Sequence, residues 1–178
     1  MAIFSEKDFL SRYEEIRILS ENKKGIVKLV TDKTNGEKRV LKLVYGLHAD
    51  VYNKLKNLSY IGLPKVYDIY DLEDKYYIVQ EYITGVTLHE KQLDISIFSD
   101  KDVKRYCLEL CEILNFLHKQ TPPMIHRDIK PTNVMITNDN RLILIDFDAS
   151  RQTKSLADKD TKLIVTKGYV YKITPIQF

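Results

Sequence analysis

The sequence predicts an α+β protein in which a lobe of five antiparallel strands, interrupted by one helix, precedes a mainly helical lobe. Hydrophobic residues alternate with a period of two over most of residues 13–81 and change to a helical period near residue 100. The dipeptide Asn35-Gly36, which favours tight hairpins, lies between two of the strand-like runs. A β-rich lobe followed by a helical lobe implies a cleft between them.

The first lobe contains five runs with strand character and one run with helical character. The strand-like runs are residues 13–19, 26–30, 39–44, 66–70 and 75–81. Residues 48–58 place Val51, Leu55 and Leu58 on one helical face. We therefore expect a helix between the third and fourth strands.

The second lobe begins with a long helix, predicted over residues 100–119. Ser99 and Asp102 form a capping pair at its start, because the serine hydroxyl can satisfy a free backbone N–H of the first turn. Its apolar positions form a stripe that we expect to be buried: Val103, Tyr106, Cys107, Leu110, Ile113, Leu114 and Leu117. Residues 134–137 and 142–145 flank a turn-forming segment and predict a hairpin.

The composition predicts a single reduced, cytoplasmic domain. The 178 residues are 44% hydrophobic and 30% charged, which suits one globular unit. No run of about 18 apolar residues appears, so no membrane contact is expected. The net charge of +3 is spread along the chain, which argues against nucleic acid as a partner. Cys107 and Cys111 are expected to pack as reduced core residues.

The densest functional signal is the run His126-Arg127-Asp128-Ile129-Lys130-Pro131-Thr132-Asn133, followed by Asp146-Phe147-Asp148. Phosphoryl transfer needs a carboxylate to hold the acceptor hydroxyl, a cation against the migrating phosphoryl group, and oxygen ligands for magnesium. The two segments contain all three. They resemble the catalytic loop and the metal-binding motif of bacterial-type serine/threonine protein kinases.

This resemblance implies a protein-kinase-like fold, ATP and Mg²⁺ as cofactors, and a protein substrate that the sequence does not identify. It assigns Asp128 to accept the substrate hydroxyl and Lys130 to contact the γ-phosphate. Asn133 and Asp146 would bind magnesium. Lys130 stands where kinases acting on serine and threonine have lysine, which disfavours tyrosine as the acceptor.

The resemblance also implies an ATP site in the first lobe. Lys42 lies in the third strand, where the family keeps the lysine that pairs with the α- and β-phosphates. Main-chain groups of Glu81 and Ile83 would hydrogen-bond the adenine edge, with Gln80 as the gatekeeper. The remaining implied contacts are Ser20 and Gly25 in the phosphate-covering loop, and Val27, Val40 and Met135 around the adenine ring.

Two departures from the family pattern concern glycine. In the phosphate-covering loop, residues 20–27, only Gly25 remains of the three family glycines, so we expect a weaker grip on ATP. Asp148 replaces the usual glycine after Asp146-Phe147. Its carboxylate could add a metal ligand, or the backbone at this position does not need a positive φ.

A third departure concerns the partner of Lys42. Counting along the helix puts Val51 where the family has a glutamate that pairs with this lysine. Asp50 is the nearest acid, but it is shorter and one position off that face. Either the helix is rotated or Lys42 relies on Asp146.

The fourth departure lies at the end of the chain. Residues 166–169 are similar to the end of an activation segment, but residues 170–178 contain no Ala-Pro-Glu-type anchor. We therefore expect a truncated catalytic domain, with residues 1–83 as the ATP-binding lobe and residues 84–178 as an incomplete helical C-terminal lobe. Apolar side chains without their usual cover predict marginal stability or self-association through an exposed apolar surface.

Three functional hypotheses follow. The first is a serine/threonine protein kinase that transfers the ATP γ-phosphate to protein hydroxyls. The second is a catalytically impaired pseudokinase or truncated kinase that binds a nucleotide or a partner without turnover. The third, a small-molecule phosphotransferase of related fold, is disfavoured by Lys130 and Pro131. Control by phosphorylation near Arg127 would use one of five candidates: Ser150, Thr153, Ser155, Thr161 and Thr166.

Overall fold

The structure, a computed structural model, describes residues 5–23, 25–45, 49–72, 75–95 and 98–153. Its first half contains a five-stranded antiparallel sheet with the strand order β1-β2-β3-β5-β4. The strands are β1 Tyr13–Asn22, β2 Gly25–Asp32, β3 Glu37–Tyr45, β4 Val66–Leu72 and β5 Lys75–Glu81. The predicted five-stranded lobe is therefore confirmed.

The turn between β2 and β3 has the chemistry that its sequence predicts. Gly36 has a φ of 73°, which glycine adopts readily, and its N–H donates to the carbonyl of Asp32 at 2.7 Å. The buried carboxylate of Asp32 accepts from the Arg12 guanidinium at 2.9 and 2.7 Å and from the Thr34 hydroxyl at 2.7 Å. This carboxylate therefore joins the turn to the start of β1.

Two helices accompany the sheet where the sequence predicted one. The predicted helix is α2, Ala49–Lys56, and the additional one is α1, Glu6–Ser11. In α1, Ser5 caps the first turn by accepting from the N–H of Asp8 at 3.1 Å. Phe9 is buried, and its ring stacks on Tyr70 with centroids 5.1 Å apart. Helix α1 thus covers one face of the sheet, and α2 covers the other. The face under α1 has its own apolar cluster, which includes Phe9, Leu41 and Val79.

The second half of the described chain contains two helices and five short strands. The elements are β6 Gly85–Thr87, α3 Leu88–Ile95, α4 Asp100–His118, β7 Met124–Ile125, β8 Val134–Thr137, β9 Leu142–Leu144 and β10 Arg151–Gln152. Strands β6, β8 and β9 form one sheet, and β10 pairs with β7. The long helix and the β8–β9 hairpin confirm the prediction. None of the helices in the described ranges is long and apolar enough to cross a membrane.

Helix α4 begins as predicted but buries fewer residues than predicted. The Ser99 hydroxyl accepts from the N–H of Asp102 at 3.1 Å. The helix packs against β7 and β9. On this side it buries Tyr106, Ile113 and Leu117.

Other positions of the predicted stripe on α4 are open to solvent. Val103 is 46% exposed, and Cys107 and Cys111 are exposed free thiols, so the expectation that these three residues are buried is wrong. The physical reason is that they lie away from the β7–β9 side of the helix. Leu108 is also exposed. Self-association through this apolar surface stays a prediction.

One continuous hydrophobic core connects the large sheet to the second half of the chain. It includes side chains from β3, α2, β5, α4, β8 and β9. Its fully buried members include Val51, Tyr52, Ile78, Leu117, Leu144 and Phe147. The elements that carry the predicted site residues are therefore fixed by a shared core. The division of the chain at residue 83 stays a prediction.

Candidate active site

The loop between β7 and β8 brings together three of the predicted site residues. The Lys130 ammonium lies 2.8 Å from the Asp128 carboxylate oxygen Oδ2. The Asn133 amide Nδ2 donates to the same oxygen at 3.0 Å and to the Asp128 carbonyl at 2.9 Å. Asn133 is buried at the end of a short 3₁₀ turn, Pro131–Asn133. The carboxylate of Asp128 is thus held from two directions.

His126 and Phe147 connect this loop to the segment after β9. The His126 Nε2 donates to the carbonyl of Ile145 at 3.0 Å, and its Nδ1 accepts from the N–H of Asp128 at 3.3 Å. An imidazole that donates once and accepts once is neutral, and burial lowers the pKa of His126 accordingly. Its ring meets the Phe147 ring edge-on, with centroids 4.7 Å apart. His126 therefore acts as a rigid spacer between the two segments.

The segment after β9 places two carboxylates on Lys42 of β3. The Lys42 ammonium lies 2.9 Å from Asp146 Oδ1 and 2.7 Å from Asp148 Oδ1. The lysine side chain is only 6% exposed, whereas the side chains of Asp146 and Asp148 are 40% and 29% exposed. The cation is therefore enclosed, while both carboxylates are partly exposed to solvent.

Helix α2 contributes a hydroxyl to Lys42 where the family has a carboxylate. The Tyr52 hydroxyl donates to Asp148 Oδ1 at 2.5 Å and accepts from the Lys42 ammonium at 3.3 Å. Val51, the position predicted by helical counting, is buried in the core. Of the two alternatives raised by the sequence, the reliance of Lys42 on Asp146 agrees with the structure.

The electrostatics keep Lys42 positively charged. Burial alone would lower the pKa of Lys42, but the charges of Asp148 and Asp146 raise it well above its ordinary value. Burial also raises the pKa of Tyr52, so this residue is a neutral hydroxyl and the two carboxylates provide the negative charge. Burial would raise the pKa of Asp146, but Lys42 lowers it. Burial, aided by the neighbouring Asp146, raises the pKa of Asp148.

The backbone around the two carboxylates explains one departure from the family pattern. Asp146 has a φ of 65°, in the left-handed region, whereas Asp148 does not have a positive φ. The interpretation that position 148 does not need a positive φ is confirmed, so an aspartate fits there without backbone strain.

The strand register places the predicted nucleotide-binding side chains of β2 and β3 on one face. Val27 is directly opposite Lys42, and Val40 is opposite Gln80. Paired residues in an antiparallel sheet point to the same side, so these four side chains share a face. Val27 and Val40 are half-buried there, and Gln80 is buried.

Two further predicted nucleotide contacts, Ser20 and Met135, lie on β1 and β8. Ser20, which pairs with Val27, is exposed on β1. Met135 is half-buried on β8, opposite Thr87 of β6 and Ile143 of β9.

Gly25 is required by its contact with β3. It begins β2 with a φ of 152°, and a Cβ at this position would lie 1.9 Å from the carbonyl oxygen of Leu43. Asn22 pairs directly with Gly25, so the turn between β1 and β2 is short. The glycine therefore has a structural reason that does not depend on phosphate.

The predicted main-chain contacts of the adenine edge, Glu81 and Ile83, lie at the end of β5 and just after it. The N–H of Glu81 donates to the Lys65 carbonyl at 2.8 Å, and the Glu81 carboxylate accepts from the Lys65 N–H at 3.1 Å. Glu81 and Ile83 also line a cavity of about 840 Å³ together with Tyr60 and Tyr82. Among the described residues, the lining of this cavity does not include Lys42, so it is separate from the cluster around the lysine.

The predicted metal ligands have chemistry that fits Mg²⁺. The described ranges contain no group of three or more His, Cys, Asp or Glu side chains placed to hold a metal ion. Magnesium, however, is commonly held by one or two protein oxygens together with substrate phosphates and water. Asn133 uses Nδ2 for its hydrogen bonds to Asp128, which leaves its amide oxygen for a cation, and its carbonyl accepts from Ile145, next to Asp146.

Two of the five predicted phosphorylation sites are inaccessible. Ser150 is buried and its hydroxyl donates to the carbonyl of His126 at 3.0 Å, and Thr153 is also buried. Both hydroxyls would have to become exposed before a kinase could reach them, and phosphorylation at either position stays a prediction. Ser155, Thr161 and Thr166 lie outside the described residues.

Comparison with known proteins identifies the class to which this fold and this site belong. A family model described as the protein kinase domain matches residues 13–171. The chain therefore belongs to the protein kinase family.

Several named kinases are similar to this chain. It is 30% identical over 154 residues to serine/threonine-protein kinase cds1 of Schizosaccharomyces pombe, covering 77% of this chain and 32% of that protein. It is 32% identical over 125 residues to serine/threonine-protein kinase B of Synechocystis, covering 69% of this chain and 21% of that protein. It is also 37% identical over 92 residues to serine/threonine-protein kinase D of Synechocystis, covering 51% of this chain and 17% of that protein. The chain thus spans a third or less of the length of these relatives.

The sequence indicated neither Tyr52 nor the contact of Asp148 with Lys42. A tyrosine beside apolar residues on a helix is typical of core packing, and its ring is indeed in the core. The only available signal was the coincidence of two departures, the missing helix glutamate and the additional Asp148.

Proposed function

We propose that this chain transfers the γ-phosphate of ATP to serine or threonine hydroxyls of a protein substrate. The observation that carries the proposal is the arrangement around Asp128, whose carboxylate is held by Lys130 at 2.8 Å and by Asn133 at 3.0 Å. The names of the relatives, which are serine/threonine kinases, support this class of acceptor.

Asp128 would orient the acceptor and receive its proton. The hydrogen bond from Asn133 and the ion pair with Lys130 restrict the carboxylate to one orientation, which favours a single approach of the acceptor hydroxyl. The Lys130 ammonium, next to that carboxylate, would neutralise charge on the phosphoryl group as it moves. The two side chains thus combine positioning with electrostatic stabilisation, which are the main contributions to phosphoryl transfer.

The remaining proposed contacts bind the nucleotide. Lys42, held at the cleft by its carboxylates, would pair with the α- and β-phosphates, near the loop formed by Ser20 and Gly25. Asn133 and Asp146 would hold Mg²⁺, which supplies charge neutralisation on the phosphates when bound. The adenine contacts are proposed for the main chain of Glu81 and Ile83 and for the side chains of Val27, Val40 and Met135.

The test is the substitution Asp128→Asn, which keeps the shape of the side chain and removes its charge. Incorporation of labelled phosphate from ATP into a generic protein substrate should fall by at least about a hundredfold, the usual contribution of a general base. Affinity for ADP, measured by calorimetry, should stay unchanged. The control is Asp139→Asn in the exposed β8–β9 turn, which should retain full transfer. Equal incorporation in the wild type and Asp128→Asn would refute the proposal.

A binding module without turnover is the second candidate. It is favoured by the short β1–β2 turn, in which Asn22 pairs with Gly25 and no second glycine is present to bring the backbone close to phosphates. In that case, ATP with Mg²⁺ would raise the thermal unfolding temperature, because a ligand that binds the native state stabilises it. No labelled phosphate would be transferred to protein.

A further inference from the structure

We infer that Asp148 and Tyr52 together replace the missing helix carboxylate and act as positioning residues for Lys42. The inference rests on the proposed function in one respect, the role of Lys42 as a phosphate contact. It concerns how this particular chain places that lysine, given that α2 presents no carboxylate to it.

The first step is the charge around Lys42. The lysine is nearly enclosed, and burying an ammonium without a counter-ion is unfavourable. In α2 the one acidic residue is Asp50, which is exposed and makes no ion pair with Lys42. The two carboxylates that do contact the lysine both come from the segment after β9, at 2.9 and 2.7 Å.

The second step separates the tasks of these two carboxylates. Asp146 is proposed to bind the metal, and a carboxylate that binds a cation of charge two is a weaker partner for a lysine. Asp148 is the carboxylate that remains for Lys42. It also adopts a backbone conformation open to any residue, so the family's glycine is not needed there.

The third step concerns Tyr52. Its ring is fully buried in the shared core, and its hydroxyl donates to the same Asp148 oxygen that accepts from Lys42. The hydroxyl therefore fixes the orientation of the Asp148 carboxylate. Helix α2 is connected to Lys42 through this hydrogen bond, where other members of the family would use a direct ion pair.

The test compares a ligand that carries phosphates with one that does not. Dissociation constants of ADP and adenosine, each with Mg²⁺, are measured by calorimetry on the wild type, Asp148→Asn, Tyr52→Phe and the double variant. Because adenosine lacks phosphates, it reports on the cleft without Lys42. Asp148→Asn should weaken ADP binding about tenfold, the scale of one charge-assisted hydrogen bond, and leave adenosine binding unchanged.

The other variants test the proposed connection. Tyr52→Phe, which keeps the buried ring, should weaken ADP binding about threefold, in the same direction. The double variant should be no weaker than Asp148→Asn alone, because the hydroxyl acts through that carboxylate. Asp50→Asn is the matched control on α2, and its affinities for both ligands should equal those of the wild type.

Several results would overturn the inference. An Asp148→Asn variant that binds ADP as well as the wild type does would show that Asp148 does not position the lysine. Tighter binding would show that the carboxylate competes with phosphate for Lys42. Parallel loss of ADP and adenosine binding would assign Asp148 to the structure of the cleft. A wild type with equal affinity for ADP and adenosine would remove the premise about Lys42. None of these measurements requires turnover, so a failure of phosphate transfer in the Asp128 experiment is a separate result.

Discussion

The substitution Gly25→Ala should destabilise the protein far more than a glycine substitution elsewhere in the same sheet. A Cβ at position 25 would lie 1.9 Å from the Leu43 carbonyl oxygen, so β3 would have to retreat by roughly 1.5 Å to restore a normal contact. Overpacking of this kind costs about 1–3 kcal/mol. The φ of 152° adds strain of about 1–3 kcal/mol for a residue with a side chain. Together these effects predict a loss of about 2–6 kcal/mol, with a central value of about 4 kcal/mol.

Gly36→Ala provides the matched control, because a Cβ there meets no atom within 4 Å. Only its φ of 73° is unfavourable, at about 1 kcal/mol. In urea unfolding with a slope of about 2 kcal/mol per molar, the midpoints should fall by about 2 M for Gly25→Ala and about 0.5 M for Gly36→Ala. A midpoint for Gly25→Ala no lower than that of Gly36→Ala would refute the proposed contact with β3.

Two further substitutions test other parts of the fold. Asp32→Asn removes the charge that pairs with Arg12, whose hydrogen bonds hold the pKa of Asp32 well below its usual range. This substitution should lower the free energy of unfolding in urea at pH 7 by about 2 kcal/mol. Glu15→Gln, which removes an exposed ion pair, should lower it by less than about 0.5 kcal/mol. Because the folded pKa lies below the unfolded value of about 3.9, the wild-type advantage should be complete above that pH and disappear as the pH falls below it. Leu117→Ala in the core should cost about 2–5 kcal/mol, whereas the exposed Leu108→Ala should cost less than about 0.5 kcal/mol; equal losses in the two leucine variants would contradict the packing of α4.

The five-stranded sheet could be predicted because local patterns determine most of it. Alternating β-branched and aromatic residues mark β5, Lys75–Glu81, which has the predicted bounds, and Asn35-Gly36 supplies the conformation that the β2–β3 turn requires. Helix α1 was missed although Ser5 and Asp8 carry the same capping pattern as Ser99 and Asp102. Six residues are too few to show helical periodicity, and α1 depends on the packing of Phe9.

Side-chain surroundings were harder to predict than the elements themselves. Periodicity indicates which residues share a face of α4 but not how much of that face meets a partner, so the burial of Ile113 and the exposure of Val103 could not be distinguished. The approach of Lys42 to Asp146 is one of the two alternatives that the motifs raise. The hydroxyl of Tyr52 was not anticipated, because its contact with Asp148 joins residues 96 positions apart in the sequence.

The cluster around Lys42 also bears on how kinase-like sequences are judged. A motif comparison scores the absent helix glutamate and the aspartate at position 148 as two independent defects, and two defects favour classification as an inactive protein. In this structure the second change supplies a carboxylate 2.7 Å from Lys42, in addition to that of Asp146 at 2.9 Å, where the first change removed the carboxylate of the helix. On the inference that Asp148 positions Lys42, replacing it by the consensus glycine should weaken nucleotide binding rather than restore it. Departures from a motif are best assessed as sets of residues in contact, since one substitution can be compensated by another far away in the chain.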